Sequence, residues 1–235
     1  MSETRPPVGV IFDMDGVLVD SADAHFESWR RVAAELGRTD VTRQQFEASF
    51  GRRSAEIIAE WFALADPAAA AAVDRRKEEI YREILSGGVP EMPGARQLVV
   101  SLHRAGMRIA VGSSGPPENV SLVVHALGLM PMLRAIVTGR DVQRGKPDPQ
   151  VFQVAAQRMV TELRHTVVVE DAPPGVLAAR NANMPCIALA STHPAASLCE
   201  ANRIVAQLAD ITPAAILELV GLDPAAQSGS DPVGP

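Results

Sequence analysis

The segment VIFDMDGVLVDS, Val10 to Ser21, ends a short apolar run on two carboxylates, Asp13 and Asp15, with a glycine directly after the second. Two carboxylates this close suit a nucleophile with its proton carrier, or a hard cation. Other groups of matching chemistry follow further along. Ser113 and Ser114 come after RIAVG, Lys146 stands in GKPDP, and Glu170 and Asp171 close the run HTVVVED. Carboxylates supply hard oxygen ligands; hydroxyls and an ammonium suit the oxygens of a phosphate. The set is the one expected to hold Mg²⁺ and a phosphate together. Each piece also has a plainer reading. Asp-x-Asp-Gly fits a turn, Ser113 fits a cap for a helix starting near Pro116, Lys146 fits a surface lysine, and Glu170–Asp171 fits a turn before Pro173. Their arrival in order, each after a strand-like run, argues against four coincidences.

Those runs are Val8–Phe12, Arg108–Ser114, Arg134–Gly139, His165–Asp171 and Cys186–Ala190. They are apolar at consecutive positions rather than alternating, as strands buried on both faces are. Helical stripes separate the later ones: Ala95, Leu98, Val99 and Leu102; Val120, Val123, Val124 and Leu127; Val151, Phe152, Ala155, Ala156 and Met159. The alternation predicts an α/β fold, a parallel Rossmann-like sheet with helices on both faces, whose ligands sit at the carboxyl ends of the strands. Between Phe12 and Arg108 the pattern is almost wholly helical. A stripe of Phe26, Trp29, Ala33 and Leu36 stops at Gly37, and further helices are expected over 54–64 and 67–85. This predicts an inserted α-helical unit over 20–89, a core made of 1–19 and 90–222, and a disordered tail over 223–235. Ser86–Gly94, rich in Gly and Pro, reads as the return linker.

The composition, 47% apolar and 21% charged, is that of a globular protein rather than a disordered one. A net charge of −6 gives no help in binding a polyanion, so no nucleic-acid partner is expected. Cys186 and Cys199 have neither metal-ligand spacing nor the density of a disulfide framework. No run approaches the roughly 18 apolar residues of a membrane span. With no apolar leader in MSETRPPVG, a cytoplasmic location without membrane association is expected.

FDMDGVLVDS, the serine after IAVG, the lysine of GKPDP and VEDAPPG resemble, in order, the four motifs of the haloacid dehalogenase superfamily. The resemblance runs from about Val8 to Leu222, and the helical insert resembles the cap of the β-phosphoglucomutase and phosphoglycolate-phosphatase branch. It implies that Asp13 attacks phosphorus and becomes an aspartyl-phosphate. An aspartate of ordinary pKa is ionised at neutral pH and needs no base to activate it. Asp15 would protonate the leaving alcohol and then activate the water, a role that requires it to start protonated with a raised pKa. Mg²⁺ would be held by the Asp13 carboxylate, the Asp15 carbonyl and Asp171, with Glu170 binding directly or through water. Lys146, Ser113 and Ser114 would bind the phosphoryl oxygens. The dehalogenases lack an aspartate at the second position, so Asp15 favours phosphoryl transfer over carbon–halogen cleavage. A non-catalytic sugar-phosphate binder on this fold would be expected to have lost part of the set, and none is lost.

The insert should choose the substrate. His25 stands where the mutase cap has a histidine that manages the acid/base aspartate, a position many phosphatases of the branch share. It is also readable as an exposed or helix-packed histidine. Arg52 and Arg53 lie near the mutase arginine for a second phosphate, although Ser54 takes the strict register. Lys77 matches a cap lysine, and DRRKEE also reads as a solvated face of mixed charge. Asn183 replaces a glycine usual at that helix end, and asparagine is the next-best residue for a left-handed cap. The resemblance implies a Mg²⁺-dependent phosphatase of a small phosphorylated metabolite, a sugar or polyol phosphate. A phosphosugar mutase is the alternative and a non-catalytic binder a lesser one. A monomer or weak dimer is expected, opening and closing about Val17–Asp20 and Pro90–Gly94.

Overall fold

A computed structural model describes residues 6–49, 52, 54–64 and 66–224. In it the apolar runs become parallel strands: β1 (Gly9–Phe12), β2 (Arg108–Gly112), β3 (Leu133–Val137), β4 (Thr166–Glu170) and β5 (Cys186–Leu189). A further strand, β6 (Arg203–Val205), joins at one edge, giving the order β3-β2-β1-β4-β5-β6. With only three residues, β6 shows no periodicity to read.

Helices α1 (Ala22–Glu35), α2 (Arg43–Ser49), α3 (Ser54–Phe62) and α4 (Pro67–Leu85) follow β1. Then come α5 (Ala95–Arg104), α6 (Pro117–Ala126), α7 (Gln150–Met159), α8 (Pro173–Asn181) and α9 (Pro213–Leu219). Strands β1, β2, β4 and β5 are buried on both faces, and their residues alternate between two cores, whereas β3, expected to be buried as well, is an edge strand buried fully only at Val137. Val10, Phe12, Ile109, Val111, Val167 and Val169 pack with α5, α6 and α9 on one face. Ile11, Ala110 and Val168 pack with α7 and α8 on the other. That two-sided burial is why the strands read as unbroken apolar runs.

The inserted helices bury an interior of their own around Trp29, Ile57, Ile58, Trp61 and Ile80, with Trp29 edge-on to Trp61 at 5.5 Å between ring centres. The alanine run lies inside α4, which Asp66 caps by accepting from the Ala68 N–H at 3.0 Å. The two chain crossings into and out of the insert are hydrogen-bonded to each other. Asp20 N–H donates to the Pro90 carbonyl at 2.8 Å, and Met92 N–H donates to that of Leu18 at 3.0 Å. Asn183 takes the left-handed conformation, φ 55°, after α8.

Candidate active site

β1 lies where the connections switch direction, between β2 and β4, so its carboxyl end opens into the crevice where such sheets bind ligands. Asp13 stays in sheet register through its N–H, which donates to the Val169 carbonyl at 2.9 Å. The chain then turns tightly, with Gly16 N–H on the Val19 carbonyl at 2.8 Å and Leu18 N–H on that of Met14 at 2.8 Å. Gly16 has φ +75°, and a Cβ there would lie 2.1 Å from Asp171 Oδ2, so the turn and the close approach both require glycine.

Lys146 reaches across from the loop after β3. Its Nζ is 2.6 Å from Asp13 Oδ1 and 2.6 Å from Glu170 Oε1, with the side chain only 9% exposed. Burial alone would lower the ammonium pKa, but the two carboxylates outweigh it and raise it. The surface reading of this lysine is thereby excluded. Glu170 Oε2 takes the N–H groups of Asp171 and Ala172 at 2.7 and 2.8 Å, so both its oxygens are engaged within the protein. Gly175, at the start of α8, leaves room for it; a Cβ would fall 1.8 Å from Oε1. Asp171 Oδ2 accepts from the Thr192 hydroxyl. Among the described residues no protein donor reaches Asp13 Oδ2 or Asp171 Oδ1.

The expectation that Asp13 is ionised unaided is corrected by this environment. Burial first, then the charges of Glu170 and Asp15, push its carboxyl up to about 7 against the pull of Lys146. Burial and the same neighbouring carboxylates raise Asp171 as well. One oxygen each from Asp13, Glu170 and Asp171 lie within 4.8 Å of one another. Three carboxylates with a single ammonium leave an excess of two negative charges, which a divalent cation would balance. The all-oxygen donor set fits Mg²⁺. Asp13 and Asp171 have oxygens to offer it, whereas the engaged Glu170 suits contact through water.

Ser113 follows β2, with its N–H on the Val137 carbonyl at 3.0 Å and its Oγ accepting from Gly115 N–H at 3.0 Å. It does not cap a helix, because α6 begins at Pro117 behind Pro116. Ser114 is exposed beside it. Asp13, Ser113, Ser114, Lys146, Glu170 and Asp171 line a cavity of about 750 Å³ whose other wall is the inserted helices.

Asp15 faces that other wall. Its Oδ1 accepts from the Ser21 hydroxyl at 2.5 Å and the Tyr81 hydroxyl at 3.0 Å, and lies 3.1 Å from His25 Nε2. The second ring nitrogen of His25 is 2.9 Å from Lys77 Nζ. Lysine offers only donors, so Nδ1 accepts and Nε2–H points at Asp15. The imidazole also stacks on Tyr81 at 4.2 Å. In the protein alone Asp15 does not have the raised pKa that starting protonated would need. Burial pushes it up, but His25 and the two hydroxyl donors favour the carboxylate and hold it down at about 2. Lys77 is buried, not part of a solvated face. Arg52 lines the cavity, but its guanidinium is 2.9 Å from Glu60 and 3.8 Å from Glu56. Arg53 and the tail from residue 225 lie outside the described residues.

Sequence reasoning missed Ser21, Tyr81 and Thr192. Tyr81 had a usable signal: it stands one helical turn after Lys77, which places both on one face of α4.

Residues 10–189 match the haloacid dehalogenase-like hydrolase family, and the chain belongs to that family. It is 31% identical over 210 residues to validoxylamine A 7'-phosphate phosphatase of Streptomyces hygroscopicus subsp. limoneus, covering 86% of this chain and 94% of that protein. Hexitol phosphatase A of Escherichia coli K12 is 31% identical over 204 residues, covering 87% of this chain and 93% of that one. A β-phosphoglucomutase structure from Clostridium difficile is similar in fold, with a TM-score of 0.81 at 22% identity over 92% of this chain and 97% of that one. Among the described residues no helix is long and apolar enough to cross a membrane.

Proposed function

We propose that the protein is a Mg²⁺-dependent phosphatase of a small phosphomonoester, a sugar or polyol phosphate. The observation that carries the reading is Asp13, gripped by Lys146 beside Glu170 and Asp171, at a cavity that Asp15 enters from the same turn. Relatives that are phosphatases of hexitol and validoxylamine phosphates support the substrate class.

In this mechanism one carboxylate oxygen of Asp13 attacks phosphorus while the other faces the cation, the bond from phosphorus to the ester oxygen breaks, and the alcohol leaves with a proton from Asp15. Asp15 is held ionised in the protein alone, and the negative charge of an arriving phosphoryl group raises its affinity for that proton. Asp15 then takes a proton from water, which attacks the aspartyl-phosphate and releases inorganic phosphate and free Asp13. Lys146 and Ser113 hold phosphoryl oxygens in line, and Ser114 lies beside them. A bound Mg²⁺ would supply the positive charge that keeps Asp13 ionised and stabilises the transferring group. Residues 20–89 would serve as the cap, moving about the paired linkers to admit substrate and exclude water.

A second reading, a phosphosugar mutase, draws on the meeting of His25 and Lys77 at Asp15, the pair that the mutase resemblance implies. The phosphatase reading is tested by phosphate release from a panel of sugar and polyol monophosphates with Mg²⁺ and with EDTA. It expects release with Mg²⁺ and little with chelator. Equal release under both conditions would remove the metal from the mechanism, and no release from any substrate would remove the phosphatase.

A further inference from the structure

The hydrogen-bonded chain behind Asp15 does not stop at Lys77. Glu78 Oε1 takes Lys77 Nζ at 2.8 Å, and Glu78 Oε2 accepts from Asn119 Nδ2 at 2.6 Å. Asn119 Oδ1 in turn accepts from Arg82 at 2.8 Å. Glu78 and Arg82 are one turn apart on α4, so a single amide on α6 meets both side chains. The chemistry fixes that amide's orientation. A guanidinium only donates, so the oxygen faces Arg82 and the NH₂ faces the carboxylate. Burial would push Glu78 up, but the Lys77 ammonium and the hydrogen bonds from Lys77 and Asn119 outweigh it and keep the carboxyl below its usual value, as an acceptor.

The links from Glu78 through Lys77 and His25 all belong to the inserted helices. Asn119 belongs to the sheet-bearing part and is 2% exposed. It therefore ties the insert to the core through Glu78 and Arg82, which line the same cavity as the proton carrier. Without Asn119, the Glu78 carboxylate would face Lys77 with one oxygen unheld at the cavity wall and would be free to turn. Lys77, and through it the His25 ring, would lose their fixed bearing on Asp15.

We propose that Asn119 is a positioning residue: its amide clasps Glu78 and Arg82 and so fixes Lys77 and His25 on Asp15 for proton delivery to the leaving group. The proposal rests on the reading of Asp15 as that proton carrier.

Leaving-group dependence separates this role from a merely structural one. Phenyl phosphate has a poor leaving group that needs the proton as the ester bond breaks, and p-nitrophenyl phosphate does not. The quantity to read is kcat/KM, because it covers only the steps up to the first irreversible one. Asn119→Leu, close in volume and without hydrogen bonds, is expected to lower kcat/KM for phenyl phosphate by about 10-fold, while p-nitrophenyl phosphate changes by no more than about 2-fold. Glu78→Gln, which keeps shape and removes the charge that holds Lys77, should show the same asymmetry and carries the test if Asn119→Leu does not fold. The double variant should lose no more than the more affected single one, since both break one chain. Equal losses on both substrates, additive losses, or no loss would overturn the clasp and leave the phosphatase reading standing. If the unaltered protein released phosphate from neither ester, that reading would fail and the clasp with it.

Discussion

Asp13 is asked to be a nucleophile in a place that resists its charge. Its carboxyl is pushed up to about 7, with Asp171 raised beside it, against an unfolded value near 4. The sign of the linkage follows. With folded-state pKa values above the unfolded ones, the folded chain binds more protons from about pH 4 to pH 7. The associated stability is complete below that window and is lost as pH rises through it. Metal-free protein should therefore melt at a lower temperature at pH 7.5 than at pH 5.5, and Mg²⁺ should recover most of the loss at pH 7.5. Melting curves with EDTA and with Mg²⁺ at both pH values check this; a metal-free protein more stable at pH 7.5 would contradict it. Asp15 has the opposite sign: held at about 2, it contributes stability above pH 4 that is lost only on strong acidification. Asp13→Asn removes the attacking oxygen's charge and should cut turnover by about 10³-fold or more in steady-state assays, and full activity would rule Asp13 out as nucleophile. Gly175→Ala would force Glu170 off its place, since the new methyl would fall 1.8 Å from Oε1. It should cost about 1–3 kcal/mol in denaturant titration and most of the activity, because Lys146 loses one of its two anchors.

At the scale of elements, helix α4 carries the most information and gave away only part of it. Its length was legible from the run after Pro67, bounded by the Asp66 cap and the glycines after Leu85. The burial of Lys77 was not, because DRRKEE has the mixed charge of a wetted face. What buries Lys77 is α1, which brings His25 and Trp29 against it. Ser21 and Tyr81 went unread for the same reason. Hydroxyls are common everywhere, and the partner of Tyr81 lies 66 residues away in sequence. The strands flanking the site were legible because burial on both faces leaves a continuous apolar run, which the edge strand β6 is too short to show. The stability of α4 comes from its apolar face. Ile80→Ala, at a fully buried position of the insert's own core, should cost about 2–5 kcal/mol in a denaturant titration. A loss under 1 kcal/mol would mean that this interior is loosely packed.

For the whole molecule, the order of motifs along the chain was enough to foresee one site. The parallel sheet brings the ends of β1, β2 and β4, with the loop after β3, to a single edge. Sequence spacing did not reveal that the insert reaches the same edge through a chain of buried polar groups, or that its crossings pair with each other. Those facts depend on how two packed bodies meet, and no local pattern encodes the meeting. The fold is shared with a mutase, so the fate of the phosphoryl group is decided by which acceptor, water or a bound sugar phosphate, reaches Asp13 first. A ³¹P NMR time course answers that directly. The protein, with Mg²⁺ and a trace of glucose 1,6-bisphosphate to prime any mutase, is offered β-glucose 1-phosphate beside several sugar and polyol monophosphates, with Asp13→Asn as control. A growing inorganic phosphate resonance is expected, which the Asp13→Asn protein does not produce. Conversion of glucose 1-phosphate to glucose 6-phosphate without phosphate release would contradict the phosphatase reading and make the protein a mutase.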